Sequence, residues 1–307
     1  MQQNIAIIGE CMIELSGQQD QLRRGFGGDT LNTAVYLARQ TASTPLAVSY
    51  VTAMGDDAYS QQMIDQWAQE GVDTYLIQRF SDKLPGLYVI ETDAQGERTF
   101  AYWRNDAAAR YWLERESAEA VCEALARFDY VYLSGISLAI LPPASREKLM
   151  ALLQRVRANG GKVLFDNNYR PRLWHDKAQT QDAYRAMLSC TDIAFLTLDD
   201  ETLLWGEASV ETVIARTHAA GVAEVVIKRG ADSCLVSANN QQVEVPAQRL
   251  RAEQVVDTTA AGDAFSAGYL AKRLLGGSPK ASAEQGHLIA SHVIQHRGAI
   301  IPPEAMP

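Results

Sequence analysis

Short apolar runs alternate with amphipathic stretches along most of this chain. Asn4 to Gly9 is β-branched and ends in glycine, and Leu46 to Val51 alternates as a second strand. Between them, Leu31, Ala34, Val35 and Ala38 recur at helical spacing behind Asp29 or Thr30, either of which can cap a helix. A second helix opens at Asp57, carries Met63, Ile64 and Trp67, and stops at Gly71. Further along, Tyr130 to Ser134, Lys162 to Asp166, Ile193 to Thr197 and Glu224 to Lys228 predict buried strands. Helical stretches over 143–158, 179–190 and 209–220 separate them, with Gly160, Gly161 and Gly221 at the stops. Strands alternating with helices predict an α/β fold with a mostly parallel central sheet covered on both faces and ligands at the carboxyl ends of the strands.

Two regions break the rhythm. Leu87 to Thr92 and Arg98 to Arg104 alternate with period two and are joined by Asp93-Ala94-Gln95-Gly96, which predicts an antiparallel hairpin. With Met12 to Leu15 it would form a small β lid outside the main sheet. A second hairpin, Ser233 to Ser237 with Gln241 to Val245, would turn at Asn239-Asn240. No repeat, low-complexity tract or charge block marks a linker.

Composition narrows the functional classes. The 307 residues carry 28 Lys plus Arg against 37 Asp plus Glu, a formal charge of -9, so a basic face for a phosphate backbone is not expected and nucleic acid is excluded as a general partner. The apolar run Ile5 to Ile8 is far too short for a membrane span, and no secretory leader is expected. Cys11, Cys122, Cys190 and Cys234 lie far apart and read as reduced thiols of a cytoplasmic protein. His292 and His296 stand four apart on a helix but lack a third ligand in register for a metal.

The most informative local segment is Asp257-Thr258-Thr259-Ala260-Ala261-Gly262-Asp263-Ala264-Phe265, followed by a helical pattern through Tyr269, Leu270 and Leu274. Small residues ahead of a helix let backbone N–H groups converge on an anion, and the positive end of the helix dipole favours it. A carboxylate at Asp263 would repel that anion unless the chemistry required a base. In phosphoryl transfer, a carboxylate takes the proton of the attacking hydroxyl beside donors that stabilise the transferred charge. On local pattern alone, Ala-Ala-Gly as close packing and Asp263 as a helix cap stay equally open. GxxxxGK[ST] is absent, and Gly25-Phe26-Gly27-Gly28 does not follow a strand as a dinucleotide fingerprint requires.

Three motifs in order settle the choice by resemblance. Gly27-Gly28-Asp29-Thr30-Leu31-Asn32, Gly55-Asp56-Asp57 and Asp257 to Phe265 resemble the paired signatures of the ribokinase-like (PfkB) sugar kinases, and the resemblance covers nearly the whole chain. It implies a ribokinase-like three-layer sandwich, with 1–307 as one kinase domain and a lid from about 11–25 and 86–106. It also implies that Asp263 is the base and that Ala260, Ala261 and Gly262 form an anion hole for the γ-phosphate of ATP. Lys228 and Gly230 would line the nucleotide phosphates, Asn168 would lie near phosphates and Mg2+, and Glu201 would support the metal through water. Leu198 stands where the family has Asn. Asp257 and Thr259 resemble positions around a monovalent cation, which makes such an ion compatible with the pattern.

On the sugar side the resemblance implies Gly27, Gly28, Asp29 and Asn32 as contacts, with Glu14 in place of a usual Asp. Tyr102-Trp103-Arg104-Asn105, Asp166-Asn167-Asn168-Tyr169-Arg170 and Arg297-Gly298-Ala299-Ile300-Ile301-Pro302 narrow the resemblance to family members acting on 2-keto-3-deoxygluconate. A keto acid brings its own negative charge, and guanidinium donors match a carboxylate, so Arg104 and Arg170 would face one cleft. Tyr88 and Tyr102 would donate to keto or hydroxyl oxygens. The expected reaction is ATP-dependent phosphorylation of the terminal hydroxyl. The rivals are a kinase of a neutral sugar such as fructose or ribose, a non-catalytic sugar-binding regulator, and a dehydrogenase. A homo-oligomer clasped through the lid is a further expectation of the resemblance.

Overall fold

The structure is a computed structural model and describes residues 2–18, 21–92, 98–206 and 209–307. In chain order the first half runs β1 (Gln3–Ile8), β2 (Met12–Gln18), β3 (Gln21–Gly27), α1 (Asp29–Thr41), β4 (Leu46–Val51), β5 (Ala53–Gly55), α2 (Ala58–Gln69), β6 (Gln78–Phe80), β7 (Leu87–Thr92), β8 (Arg98–Trp103), α3 (Ser117–Leu125) and β9 (Tyr130–Ser134). There follow α4 (Gly135–Ala139), α5 (Pro143–Ala158), β10 (Lys162–Asp166), α6 (Lys177–Ser189), β11 (Ile193–Thr197), α7 (Leu198–Trp205), α8 (Val210–Ala219), β12 (Glu224–Lys228), β13 (Cys234–Ala238), β14 (Gln241–Val245), α9 (Ala261–Arg273) and α10 (Pro279–Val293).

The expected parallel sheet is present, in the order β14-β13-β12-β11-β10-β9-β1-β4. It is parallel from β4 across to β12, and β13 and β14 close it as an antiparallel hairpin. Alternating side chains of one strand feed two cores, as a sheet buried on both faces requires. Ile5, Ile7, Tyr132, Leu164 and Phe195 pack with α1, α9 and α10, whereas Ile8, Leu133, Phe165 and Leu196 pack with α5, α6 and α8. Strand order reverses beside β1, so the loops after β1, β9, β10 and β12 open into one crevice.

The second sheet has the order β3-β2-β7-β8, with β2 and β7 parallel and the outer pairs antiparallel. Its turn at 93–96 lies outside the described residues. Strand β3 was not expected as a strand: Arg23, Arg24 and Gly25 hide its pattern, yet Gly25 to Gly27 end it. The helix expected to be capped by Asp29 or Thr30 instead follows Gly28 and takes Asp29 into its first turn. Asp57 does cap α2, its Oδ1 accepting from the amides of Tyr59 at 2.9 Å and Ser60 at 3.0 Å. The Asn239-Asn240 turn has φ of 51° and 59°, as a two-residue hairpin of the primed type requires.

Candidate active site

Two helix starts meet over the carboxyl ends of the strands. Asn32, in the first turn of α1, donates Nδ2 to Oδ2 of Asp263 in the first turn of α9 at 2.9 Å. Thr33 Oγ1 reaches the carbonyls of Asp29 at 3.2 Å and Asp263 at 3.4 Å, so the two turns are stapled side by side. Each helix therefore aims its positive end, with a carboxylate on it, at the same point. Removal from water, and then the charge of Asp29, push the Asp263 carboxyl up to about 7. A carboxylate of that proton affinity takes a proton near neutrality far better than an ordinary surface aspartate.

The turn before α9 is shaped for an anion. Ala260 has φ 60° and ψ 13°, the left-handed conformation, which swings the chain into the helix. The Ala261 amide donates to the Thr258 carbonyl at 3.2 Å within the turn. Past it, first-turn amides such as that of Gly262 have no carbonyl one turn back to accept them. A Cβ at Gly262 would lie 3.5 Å from Lys228 Nζ, so an ammonium sits against this turn. Lys228 donates to Asp166 Oδ2 at 2.7 Å. Gly230, two residues further on, takes φ 63° and faces open space.

Asn168 has φ 23° and donates Nδ2 to Asp29 Oδ2 at 2.5 Å, which ties the loop after β10 to the start of α1. Glu201 is buried and accepts from Asn167 Nδ2 at 2.9 Å and from Arg216. Asp257 accepts from the amide of Thr259 at 3.0 Å, from its Oγ1 at 2.6 Å and from the Gly298 amide at 2.9 Å. The first-turn amides and the Lys228 ammonium beside Gly262 fit a phosphate chain, which would bring magnesium with most of its water still bound. Among the described residues no three metal-binding side chains converge into a closed cage.

On the lid side, Tyr88 donates its hydroxyl to Glu14 and stacks on Tyr102 with centroids 5.9 Å apart. The glycines before α1 are also hemmed in by the chain itself. A Cβ on Gly27 would fall 2.2 Å from the Tyr88 hydroxyl, and one on Gly28 would fall 2.2 Å from the Glu10 carbonyl oxygen. Arg104 and Arg170 are not brought onto a common partner. Arg104 is buried and donates to Glu10, whereas Arg170 is exposed, lies 3.6 Å from Asp200 and donates to the Tyr169 carbonyl at 2.9 Å. Glu10 Oε1 and Arg104 Nε are buried with no partner among the described residues. Burial raises the proton affinity of Glu10, against the pull of Arg104.

Comparison with known proteins agrees with this geometry. The model of the pfkB family of carbohydrate kinases matches residues 2–306. The chain belongs to that family. It is 67% identical over 308 residues, 100% of both chains, to 2-dehydro-3-deoxygluconokinase of Escherichia coli K12. The protein of the same name from Dickeya dadantii is 67% identical over 305 residues, covering 99% of this chain and 98% of the relative. A solved chain from Escherichia coli, provisionally described as a ribokinase II in complex with ATP and Mg2+, superposes with a TM-score of 0.83 at 24% identity, over 97% of this chain and 94% of the other. The two sheets and their helices are thus the ribokinase-like α/β fold.

For this pfkB-family chain, residue-by-residue reading missed Asp166, Tyr132, Ser266 and Glu10, all of which line the site or its rim. Asp166 had a usable signal, a carboxylate ending the apolar run Val163-Leu164-Phe165 at the ligand end of a parallel strand. Glu10, likewise, directly follows β1 and Gly9.

Proposed function

We propose that the chain phosphorylates the terminal hydroxyl of 2-dehydro-3-deoxy-D-gluconate with ATP, giving the 6-phosphate and ADP, with Asp263 as general base. The observation that carries the chemistry is the Asp263 carboxylate, oriented by Asn32 and held near a proton affinity of 7 between two helix starts. The substrate follows from the full-length 67% identity to 2-dehydro-3-deoxygluconokinases, and a neutral sugar is not favoured.

In the reaction, Asp263 takes the hydroxyl proton as the oxygen–phosphorus bond forms and the bond to the ADP oxygen breaks. Asn32 keeps the carboxylate aimed, while the amides of the 260–262 turn and the Lys228 ammonium stabilise charge on the transferred group. Magnesium arriving with the nucleotide would be held near Asn168 and would supply positive charge to offset that of the phosphates. In this reading Asp29 contacts the sugar and Asn168 and Gly230 the nucleotide, while Glu201, held by Asn167, supports the metal through water. The unmet Nε donor of Arg104 suits the keto acid carboxylate, and Tyr88 and Tyr102 would shield the sugar from water. Arg170 would have to leave Asp200 to join them.

The whole chain acts as one kinase unit in this reading, its lid drawn from about residues 11–25 and 86–106. Phe100, Trp103 and Leu22 stand exposed on that lid, which suits a homo-oligomer clasped through it. A cytoplasmic setting, in keeping with the four free thiols, completes the reading. Among the described residues no helix is long and apolar enough to cross a membrane. A substrate panel with coupled ADP detection tests the assignment. The keto acid should be used far faster than fructose or ribose, and equal use of a neutral sugar sinks it.

A further inference from the structure

The floor of the site holds a carboxylate that the reaction as written does not use. Asp166 ends β10 and is almost fully buried. Its Oδ2 accepts from Lys228 Nζ at 2.7 Å, from Ser266 Oγ at 3.0 Å and from the Tyr132 hydroxyl at 3.4 Å. These donors come from the end of β12, from α9 one turn past the start and from β9. One oxygen therefore ties three elements together directly beneath the anion-binding turn, where the Lys228 ammonium lies against Gly262.

We propose that Asp166 is a positioning residue for phosphoryl transfer: its ion pair parks the Lys228 ammonium against the first turn of α9 while no nucleotide is bound, and gives it up to the phosphate chain when nucleotide arrives. The proposal rests on the kinase reading above. A buried ammonium needs a counter-charge, and a buried carboxylate needs donors. Asp166 meets the first need in the empty site. Ser266 and Tyr132 meet the second after Lys228 has turned to the phosphates, so the exchange strands neither charge.

The exchange also acts on the base. The charged and titratable groups facing Asp263 are Asp29 and Tyr36 from α1, Tyr132 from β9, Asp166 from β10 and Lys228 from β12. Asp166 raises the proton affinity of Asp263 and Lys228 lowers it. Drawing Lys228 toward phosphate uncovers the Asp166 charge, so Asp263 becomes the stronger base when a phosphoryl group is in place to receive the hydroxyl oxygen.

Asp166→Asn tests this, because the amide oxygen can still accept from Ser266 and Tyr132 while the charge is gone. Titration calorimetry with MgADP and no sugar should show affinity raised roughly threefold or more, since nothing now competes for Lys228. The acid limb of kcat/KM for the keto acid should move to lower pH in Asp166→Asn and to higher pH in Lys228→Met, opposite signs that a purely structural Asp166 would not produce. Nucleotide affinity within about twofold of the parent together with an unmoved acid limb overturns the proposal. Should Asp166→Asn not fold, Lys228→Met decides alone, and an acid limb that stays in place or moves down overturns it. If the parent binds MgADP but phosphorylates no sugar, the kinase reading fails on its own, and the calorimetric comparison still settles the role of Asp166.

Discussion

The body of the site and its lid are built on opposite terms. In the body, Asp29, Asn32, Asp166, Lys228 and Asp263 all stand on the ends of helices or strands whose flanks are core, and each is held by at least one neighbour from a different element. The lid sheet is half-exposed, with Trp103 62% and Tyr102 48% accessible; the buried Glu10–Arg104 ion pair ties its base to the body, and Phe26 on Trp67 and Arg24 on Gln62 join its β3 edge to α2. Glu10 lies between β1 and β2, and Arg104 directly follows β8, so the pair sits where two chain crossings leave or enter the lid. The residues proposed for proton and phosphoryl transfer thus rest on elements that cannot shift without disturbing the core. In the proposed reaction, sugar recognition would rest on a sheet whose outer positions can change at little cost to folding.

The sharpest way to break this division is Asp263→Asn. Turnover should fall by about three orders of magnitude or more, with the KM of the keto acid changed only a few-fold, because the residue acts on the proton and not on grip. In the parent, kcat/KM should climb through about pH 7 and level off above it. The stability effect has a definite sign. The folded carboxyl binds its proton more tightly than the unfolded one, so its contribution is fully present below the unfolded value near 4 and is lost as pH rises through about 7. Asp263→Asn, which cannot ionise, should therefore melt higher than the parent at pH 8, and the gap should close toward pH 4. An equal or lower melting temperature at pH 8 would mean that burial does not oppose the charge.

The lid side breaks differently. Arg104→Met leaves Glu10 buried without its cation, an arrangement that costs about 3–5 kcal/mol while the carboxylate stays charged. Burial already raises the proton affinity of Glu10, and losing Arg104 raises it further, so the variant should lose more stability at pH 8 than at pH 5. Adding Glu10→Leu should recover much of that loss without recovering substrate. The KM of the keto acid should stay raised about tenfold or more in both variants, while any weak use of fructose is unaffected. A double variant with parental KM would remove Arg104 from recognition and leave it as a bolt between lid and body.

How far the fold was legible follows from the same division. Body strands declare themselves because burial on both faces demands continuous apolar runs, and α5 was read to its last residue from its periodicity. Strand β3 escaped notice because an exposed lid strand has no such demand and can carry Arg23, Arg24 and Gly25. Asp263 was readable through a local motif. Asp166 and Glu10 were legible only as carboxylates at strand ends; their roles come from partners 62 and 94 residues away, and nothing in a local window marks a carboxylate as buried against a distant cation. The same limit applied to the glycines. At Gly27 and Gly28 the sequence pointed to close approach of a sugar but not to the chain's own crowding, in which an added Cβ would meet the Tyr88 hydroxyl and the Glu10 carbonyl.

The smallest expected effect concerns the one residue of the anion-binding turn whose side chain works against its backbone. Ala260 sits at φ 60°, where an L-residue is strained by about 1–2 kcal/mol and glycine is not. Glycine recovers part of that but loses more freedom on folding, so Ala260→Gly should stabilise the protein by no more than about 1 kcal/mol. The turn's amides are unchanged by the substitution, and activity should stay within about twofold of the parent. The melting temperature and kcat of this one variant separate the two sides of the turn. Higher stability with parental turnover means that the methyl group contributes only strain and the N–H groups hold the phosphate. A loss of turnover beyond about tenfold would mean instead that the Ala260 side chain itself keeps the turn in register with Asp263.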